Sequence, residues 1–303
     1  MTLRASARML LLLLLLLLLL CAIAAGGCAH EKRGFVKSTT QPTTRPTALH
    51  IHLPGIGGYR GVDRGMLRGL REGGYNERIR VHDWTGADAG LAALMATQRH
   101  KDESKHVEQI ILDELDVNPE THITVSAHSA GAGIIAWALE QLPPDKKIDT
   151  LLLIAPALSP TYDLSRAMSH VRNKVYVIYS PYDAAVLGMG TKMFGTVDGV
   201  KVEAAGKVGF KAPAKADKQQ YEKLVQIAYR SDWVKLGNIG DHIGGLSRPF
   251  AKAVLAPLLE RDELPSASET TSAGDAEPLS IPPPLPASAP APATIPAPAG
   301  AGQ

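Results

Sequence analysis

The chain has 303 residues, with 32 Lys and Arg against 30 Asp and Glu, a formal net charge of +2 and only 2 Cys. A nearly neutral chain with no basic stripe gives nucleic-acid binding no support. Of the two cysteines, Cys21 falls inside an N-terminal apolar run, so no intrachain disulfide framework is available and stability must come from a hydrophobic core.

Arg4 and Arg8 precede an unbroken Leu run from Leu10 to Leu20, followed by Cys21-Ala22-Ile23-Ala24-Ala25-Gly26-Gly27-Cys28. A basic start, a short apolar stretch and small residues predict a secretory signal over residues 1–27. The stretch is short for a membrane span of about 20 residues, which leaves a retained anchor as the second reading. Ala22-Ile23-Ala24 offers an ordinary cleavage site, whereas Ala25-Gly26-Gly27-Cys28 resembles a bacterial lipobox with Ala where Leu is usual. Ordinary cleavage would leave Cys28 as a lone thiol in an exported protein, which favours the lipobox. The expectation is an exported bacterial lipoprotein held at a membrane through acylated Cys28, with a periplasmic or secreted protein as the alternative.

Residues 28–47 are polar and read as a tether. Residues 262–303 are dominated by Ala, Pro, Ser and Thr and read as a disordered tail. The folded domain is therefore expected over 48–261, a length typical of one α/β unit. No internal repeat is visible.

Within it, Ala48-Leu49-His50-Ile51-His52-Leu53-Pro54 reads as a strand, ended by Gly55-Ile56-Gly57-Gly58. Val62, Met66, Leu67 and Leu70 have helical spacing. Residues 78–84 read as a second strand. A long helical region follows, with Leu91, Leu94 and Met95, then Val107, Ile110, Ile111 and Leu115. His122 to His128 reads as a strand and Ile134 to Leu142 as a helix, stopped by Pro143-Pro144. Residues 148–155 and 174–180 are continuous apolar strands. Tyr221 to Tyr229 is expected to be helical, Trp233 to Leu236 a short last strand, and Phe250 to Leu259 a closing helix. Apolar strands alternating with amphipathic helices predict a mostly parallel central sheet with helices on both faces, an α/β fold.

The informative stretch is Ala127-His128-Ser129-Ala130-Gly131, between the strand at 122–128 and the helix that follows it. A Ser on a tight strand-to-helix turn has its hydroxyl projected beyond the strand. The helix N-terminus behind it aims N–H groups at a developing oxyanion. The pentapeptide is G-x-S-x-G with Ala127 in place of the first Gly. Sites of open α/β sheets form at the carboxyl ends of strands. Asp183 follows the strand at 174–180, and His242 lies in Gly240-Asp241-His242-Ile243-Gly244-Gly245 after the expected last strand. Ser129 is assigned as nucleophile, His242 as its base and Asp183 as the acid that orients the imidazole. Asp163 is the rival acid but stands further from its strand end, and Asp241 is too close along the chain to face the ring of His242. One oxyanion donor is the N–H of Ala130. The second is assigned to Ile56, with Gly57 as the alternative.

Other signals are weaker. His50 and His52 share one strand face, as metal-binding pairs can, but no third ligand with convincing spacing completes a site, and no metal or cofactor is expected. Gly55-Ile56-Gly57-Gly58-Tyr59-Arg60 has Arg60 where a dinucleotide fingerprint needs Gly. His128 is read as a packing residue that points away from the nucleophile. Met189, Met193 and Phe194 either line a substrate pocket or plug the core.

Through the elbow at 127–131, the Gly loop at 54–58, Asp183 and His242, the chain resembles the α/β-hydrolase superfamily on its lipase and esterase side. The likeness spans about residues 48–260. The order Ser, Asp, His is the one that superfamily uses. Residues 157–165 and Phe194-Gly195-Thr196-Val197-Asp198 also resemble a little-characterised group of bacterial exported hydrolases. The resemblance implies a serine hydrolase that cleaves carboxylic esters through an acyl-enzyme. Its substrate would be an ester-type small molecule or a lipid. The departures are Ala127 and a Gly loop that lacks the superfamily's His-Gly. Only a short segment separates the strands at 151–155 and 174–180, so no large cap is expected. The other class in play is a non-catalytic envelope-binding protein on the same fold.

Overall fold

The strand at Ala48–Leu53 (β1) carries two different faces. Leu49, Ile51 and Leu53 enter one hydrophobic cluster, while His50 and His52, also buried, point to the other side of the sheet. Strand His122–His128 (β3) repeats the pattern with Ile123, Val125 and Ala127 on the first face and Thr124, Ser126 and His128 on the second. Strands Thr150–Ile154 (β4) and Val175–Tyr179 (β5) are apolar on both faces, as expected where helices cover both. Each fully buried Leu of β4 stabilises the fold by roughly 1.5–3 kcal/mol.

The computed structural model describes residues 48–86, 90, 93, 96–183, 192, 195–262 and 264. The signal segment, Cys28, the tether, nearly all of the tail, Leu91, Leu94, Met95, Met189, Met193 and Phe194 lie outside the described residues. Six strands form one sheet in the order β2-β1-β3-β4-β5-β6, every neighbouring pair parallel. Here β2 is Arg78–Val81 and β6 is Leu224–Ala228. Helices α1 (Gly61–Glu72), α2 (Thr97–Val117) and α3 (Gly131–Gln141) connect the first strands. The α2 and α3 side holds one cluster, around Val107, Ile111, Ile134 and Leu139. The opposite side holds the second, where Met66, Leu67 and Leu70 of α1 meet Phe250, Val254 and Leu258. Between β4 and β5 the only regular element is α4, Ser165–Ser169, so no large cap is inserted there. Among the described residues no helix is long and apolar enough to cross a membrane.

Two expectations are corrected. Of the supposed helix at 221–229 only Tyr221 is helical, as the end of a short turn at Lys218–Tyr221, and Leu224–Ala228 is instead the edge strand β6, paired with β5 from Val175↔Leu224 to Tyr179↔Ala228. Its apolar positions suit a helix face equally well. The open hydrogen-bonding edge of β5 decides the outcome, because unpaired backbone groups there are costly. The supposed last strand is a 3₁₀ helix, Ser231–Leu236, whose Trp233 and Leu236 are buried one turn apart. The closing helix runs through Arg248–Phe250, a π turn at Ala251–Leu255, and Ala256–Arg261. Pro257, in the first turn of the last piece, lacks an N–H and crowds the carbonyl four residues before it, which the wider π turn accommodates.

Candidate active site

At the carboxyl end of β3 the chain turns sharply, and Ser129 has φ of +53°, a left-handed conformation that a side chain rarely adopts. The turn is held from several sides. Ser129 N–H donates to Ile154 O at 3.0 Å, and Ser129 O accepts from Ala132 N–H and Ala157 N–H. Helix α3 then leaves so close to β1 that a Cβ at Gly131 would lie 2.7 Å from Pro54 O and 2.9 Å from Leu53 O. Only glycine fits there. Ala127, by contrast, is fully buried among apolar neighbours, so its methyl is tolerated where the usual pattern has Gly.

Ser129 Oγ lies 2.9 Å from His242 Nε2, and His242 Nδ1 lies 2.6 Å from Asp183 Oδ2. Asp183 and Ser129 stand 59 and 113 positions from His242 in the chain, and the sheet brings the three together. Asp183 is 2% exposed and sits in a turn after β5, where its N–H donates to Ser180 O. A carboxylate accepts only, so Nδ1 of His242 carries the proton and Nε2 presents its lone pair to the Ser129 hydroxyl. The His242 loop follows the 3₁₀ turn at 231–236, and Asn238 Oδ1 accepts from Gly240 N–H within it. Asp163, the rival acid, is used elsewhere: its Oδ1 accepts from the N–H and hydroxyl of Ser165 at the start of α4.

The Gly loop at 54–58 packs against this elbow, since a Cβ at Gly55 would lie 3.1 Å from Ser129 Cβ. Gly55 O accepts from Gly58 N–H, Ile56 O from Gly90 N–H and Gly57 O from Arg60 Nε. Each of the first two carbonyls shares a rigid peptide plane with the next N–H, so the directions of the Ile56 and Gly57 N–H groups are fixed. Ala130 N–H belongs to the start of α3, where backbone donors have no intrahelical partner.

Below the loop runs a buried polar chain that sequence reasoning missed. Register pairs His50 with Thr124 and His52 with Ser126 on adjacent strands. Tyr75 OH meets Thr124 Oγ1, and His50 bridges Thr124 Oγ1 and Ser126 Oγ, both at 2.8 Å. Ser126 Oγ is 2.8 Å from His52 Nδ1, and His52 Nε2 is 3.1 Å from Asp63 Oδ1. Asp63 Oδ2 accepts from Arg60 N–H, closing the first turn of α1. With both histidines neutral every link is satisfied in one direction, each hydroxyl or imidazole donating toward Asp63. Burial, then the neighbouring His52, pushes the His50 imidazole down to about 3. Burial alone would raise Asp63, but the hydrogen bond from His52 and the Arg60 amide outweigh it and hold the carboxyl below its ordinary range. The alternation of polar residues in β1 and β3 was the available signal. Thus His50 and His52 are occupied by hydroxyls and a carboxylate, and among the described residues no group of three or more His, Cys, Asp or Glu is placed to hold a metal ion.

His128 is also more than a packing residue. Its Nε2 is 2.9 Å from the backbone carbonyl of His242. Beside the site, a cleft of about 280 Å³ has walls that include Asp241 and Ile243, the two neighbours of His242, together with Val62, Ile239 and Leu246.

A parallel sheet with a Ser elbow after β3, an Asp after β5 and a His after the last strand is the α/β-hydrolase architecture. No protein-family model matches the chain, and no curated protein does. Among solved structures it is similar to a poly(3-hydroxybutyrate) depolymerase from Bordetella parapertussis, at 12% identity and a TM-score of 0.44, over 76% of this chain and 86% of that one. It is similar also to the esterase domain of a Rhodothermus marinus protein, at 14% identity and a TM-score of 0.41, over 72% of this chain and 88% of that one. These are likenesses of architecture.

Proposed function

We propose that the protein is a serine hydrolase that cleaves carboxylic esters. The observation that carries this reading is the hydrogen-bonded chain Ser129 Oγ, His242 Nε2 and Nδ1, Asp183 Oδ2, at 2.9 and 2.6 Å. In the reaction, His242 Nε2 takes the Ser129 proton as Oγ attacks the ester carbonyl carbon. The resulting oxyanion is received by the N–H of Ala130 and of Ile56, with Gly57 as the alternative donor. Asp183 stabilises the imidazolium. Collapse of the tetrahedral intermediate expels the alkoxide, which takes the proton from His242 and leaves an acyl-Ser129. Water, deprotonated by His242, then attacks the acyl carbon and frees the acid and Ser129. An ester-type small molecule or a lipid is the substrate class that the sequence resemblance implies.

A fluorophosphonate probe tests this. The wild type should be labelled and Ser129→Ala should not. A well-folded wild type that takes no label points instead to a binding protein on the same fold.

The sequence further supports export and membrane attachment through acylation of Cys28, with residues 28–47 as tether. A single acyl chain binds membranes only marginally, so stable attachment needs at least two such signals. Intact-mass analysis of the membrane fraction should find a diacylated or triacylated chain beginning at Cys28. A soluble chain beginning at Ala25 with a free Cys28 thiol refutes this attachment.

A further inference from the structure

His128 makes contact with both halves of the site, yet the proposed reaction does not use it. It is the last residue of β3, 6% exposed, and its ring centroid lies 4.9 Å from that of His242. Its Nε2 meets the carbonyl oxygen of His242 at 2.9 Å. Its Nδ1 edge is covered by the Gly loop, where a Cβ at Gly55 would stand 2.9 Å away.

A carbonyl can only accept, so Nε2 of His128 carries the proton and its tautomer is fixed. Burial, then the charge of His242, pushes the imidazole down to about 3, with Asp63 and His52 as the other charged or titratable groups that face it. His128 is thus a neutral donor at any pH near neutrality. That state matters, because His242 itself becomes cationic during the reaction and a second cation at this distance would oppose it.

The loop around His242 is rich in glycine, with Gly237, Gly240, Gly244 and Gly245, and such backbone loses much freedom when ordered. Asp183 holds the His242 ring. His128 holds its main chain from the end of a central strand, the most rigid element available.

We propose that His128 is a positioning residue of the site: its Nε2–H clamps the main chain of His242 and so keeps the imidazole aligned between Ser129 and Asp183. This rests on the serine hydrolase reading above.

The test compares His128→Gln with His128→Asn. Both are neutral amides, but only the longer Gln places an N–H donor where Nε2 of His128 stands. Turnover of a p-nitrophenyl ester is divided by the number of sites that a fluorophosphonate labels, which removes any misfolded fraction. For His128→Asn, kcat per labelled site should fall about 10²-fold, the scale of an ångström-sized misplacement, with KM nearly unchanged. His128→Gln should recover most of the loss. A readout independent of activity uses the Ser129→Ala background. There the downfield Nδ1–H resonance of His242, held by Asp183, should persist with His128→Gln and broaden or vanish with His128→Asn. Equal behaviour of the two variants, both at the wild-type level or both equally impaired, overturns the proposal. If the wild type takes no probe, the hydrolase reading fails, and the resonance alone decides whether His128 positions His242.

Discussion

Nδ1 of His242 lies 2.6 Å from Oδ2 of Asp183, across 59 residues of chain, and Asp183 is 2% exposed. A carboxylate that buried and that close holds the imidazole in a single tautomer. Asp183→Asn should preserve the geometry but present an amide donor or the wrong tautomer to Nδ1. In the best-studied serine protease triad this substitution lowers kcat about 10⁴-fold. A loss of similar order is expected here, measured as p-nitrophenyl ester turnover. Asp163→Asn should stay within about threefold, since Asp163 only caps α4 through Ser165 and such surface changes are small. Inactivation by Asp163→Asn with activity retained in Asp183→Asn would reverse the assignment.

Ser129 and Asp183 were legible because each follows an apolar strand, and strand ends are where such sheets build sites; His242 was placed by the Ser–Asp–His order, since the strand expected before it is a 3₁₀ helix. Strand β6 was not legible. Leu224, Val225, Ile227 and Ala228 satisfy helix and strand spacing alike, only Ile227 is buried, and pairing with β5 is a long-range fact. Trp233 and Leu236 misled for a related reason: a short apolar group reads as a strand when one turn of 3₁₀ helix buries the same two side chains. The role of His128 was invisible because its partner atom is a main-chain carbonyl 114 residues away. The polar chain from Tyr75 to Asp63 needed the register of β1 on β3, which no local pattern contains.

The elbow makes opposite demands on its two small residues. Ala127 already fits, so Ala127→Gly should bring no gain in activity despite restoring the usual motif. It should lower stability by about 0.5–1 kcal/mol through the added freedom of Gly in a strand. Gly131→Ala places a methyl against two backbone oxygens, at 2.7 and 2.9 Å, neither of which can rotate away. Overpacking of this kind costs about 1–3 kcal/mol and should shift the elbow, with esterase activity falling more than the fraction folded. Urea melts together with ester turnover would show whether the two variants differ in this direction.

Asp63 terminates the buried chain and accepts from both His52 Nε2 and Arg60 N–H. Asp63→Asn offers only one acceptor oxygen. Either the amide faces Arg60 N–H, donor against donor, or the hydrogen-bond direction must reverse along the chain toward Tyr75. Leaving a buried donor or acceptor unsatisfied costs about 1–3 kcal/mol. The urea midpoint should drop accordingly, and the thermal midpoint of this domain with it. A change within 0.5 kcal/mol, the range typical of neutral surface positions, would show that the chain does not act as a connected unit.

The same interior should make the domain sensitive to acid well above the range where carboxylates titrate. Burial pushes His50 and His128 down to about 3 from the ordinary 6.5. Between those values the unfolded chain binds a proton at each histidine and the folded chain does not. Stability therefore rises with pH across this interval and falls on acidification. Each histidine contributes a slope of up to about 1.4 kcal/mol per pH unit, about 2.7 for the pair. Asp63 works in a different window: its depressed carboxyl contributes fully above its ordinary 3.8 and is lost only below that value. Across the interval from about pH 6.5 to 4.5 the histidine effect works against folding, and typical domain stabilities of about 5–15 kcal/mol leave little reserve. Urea unfolding at half-unit steps should show a midpoint that declines steeply through this interval. Burial lowers His82 and His100 as well, so His50→Gln, which keeps an amide in the chain, removes one of several such titrations and the slope should fall. An unchanged slope in that variant would mean that His50 is not the group responsible.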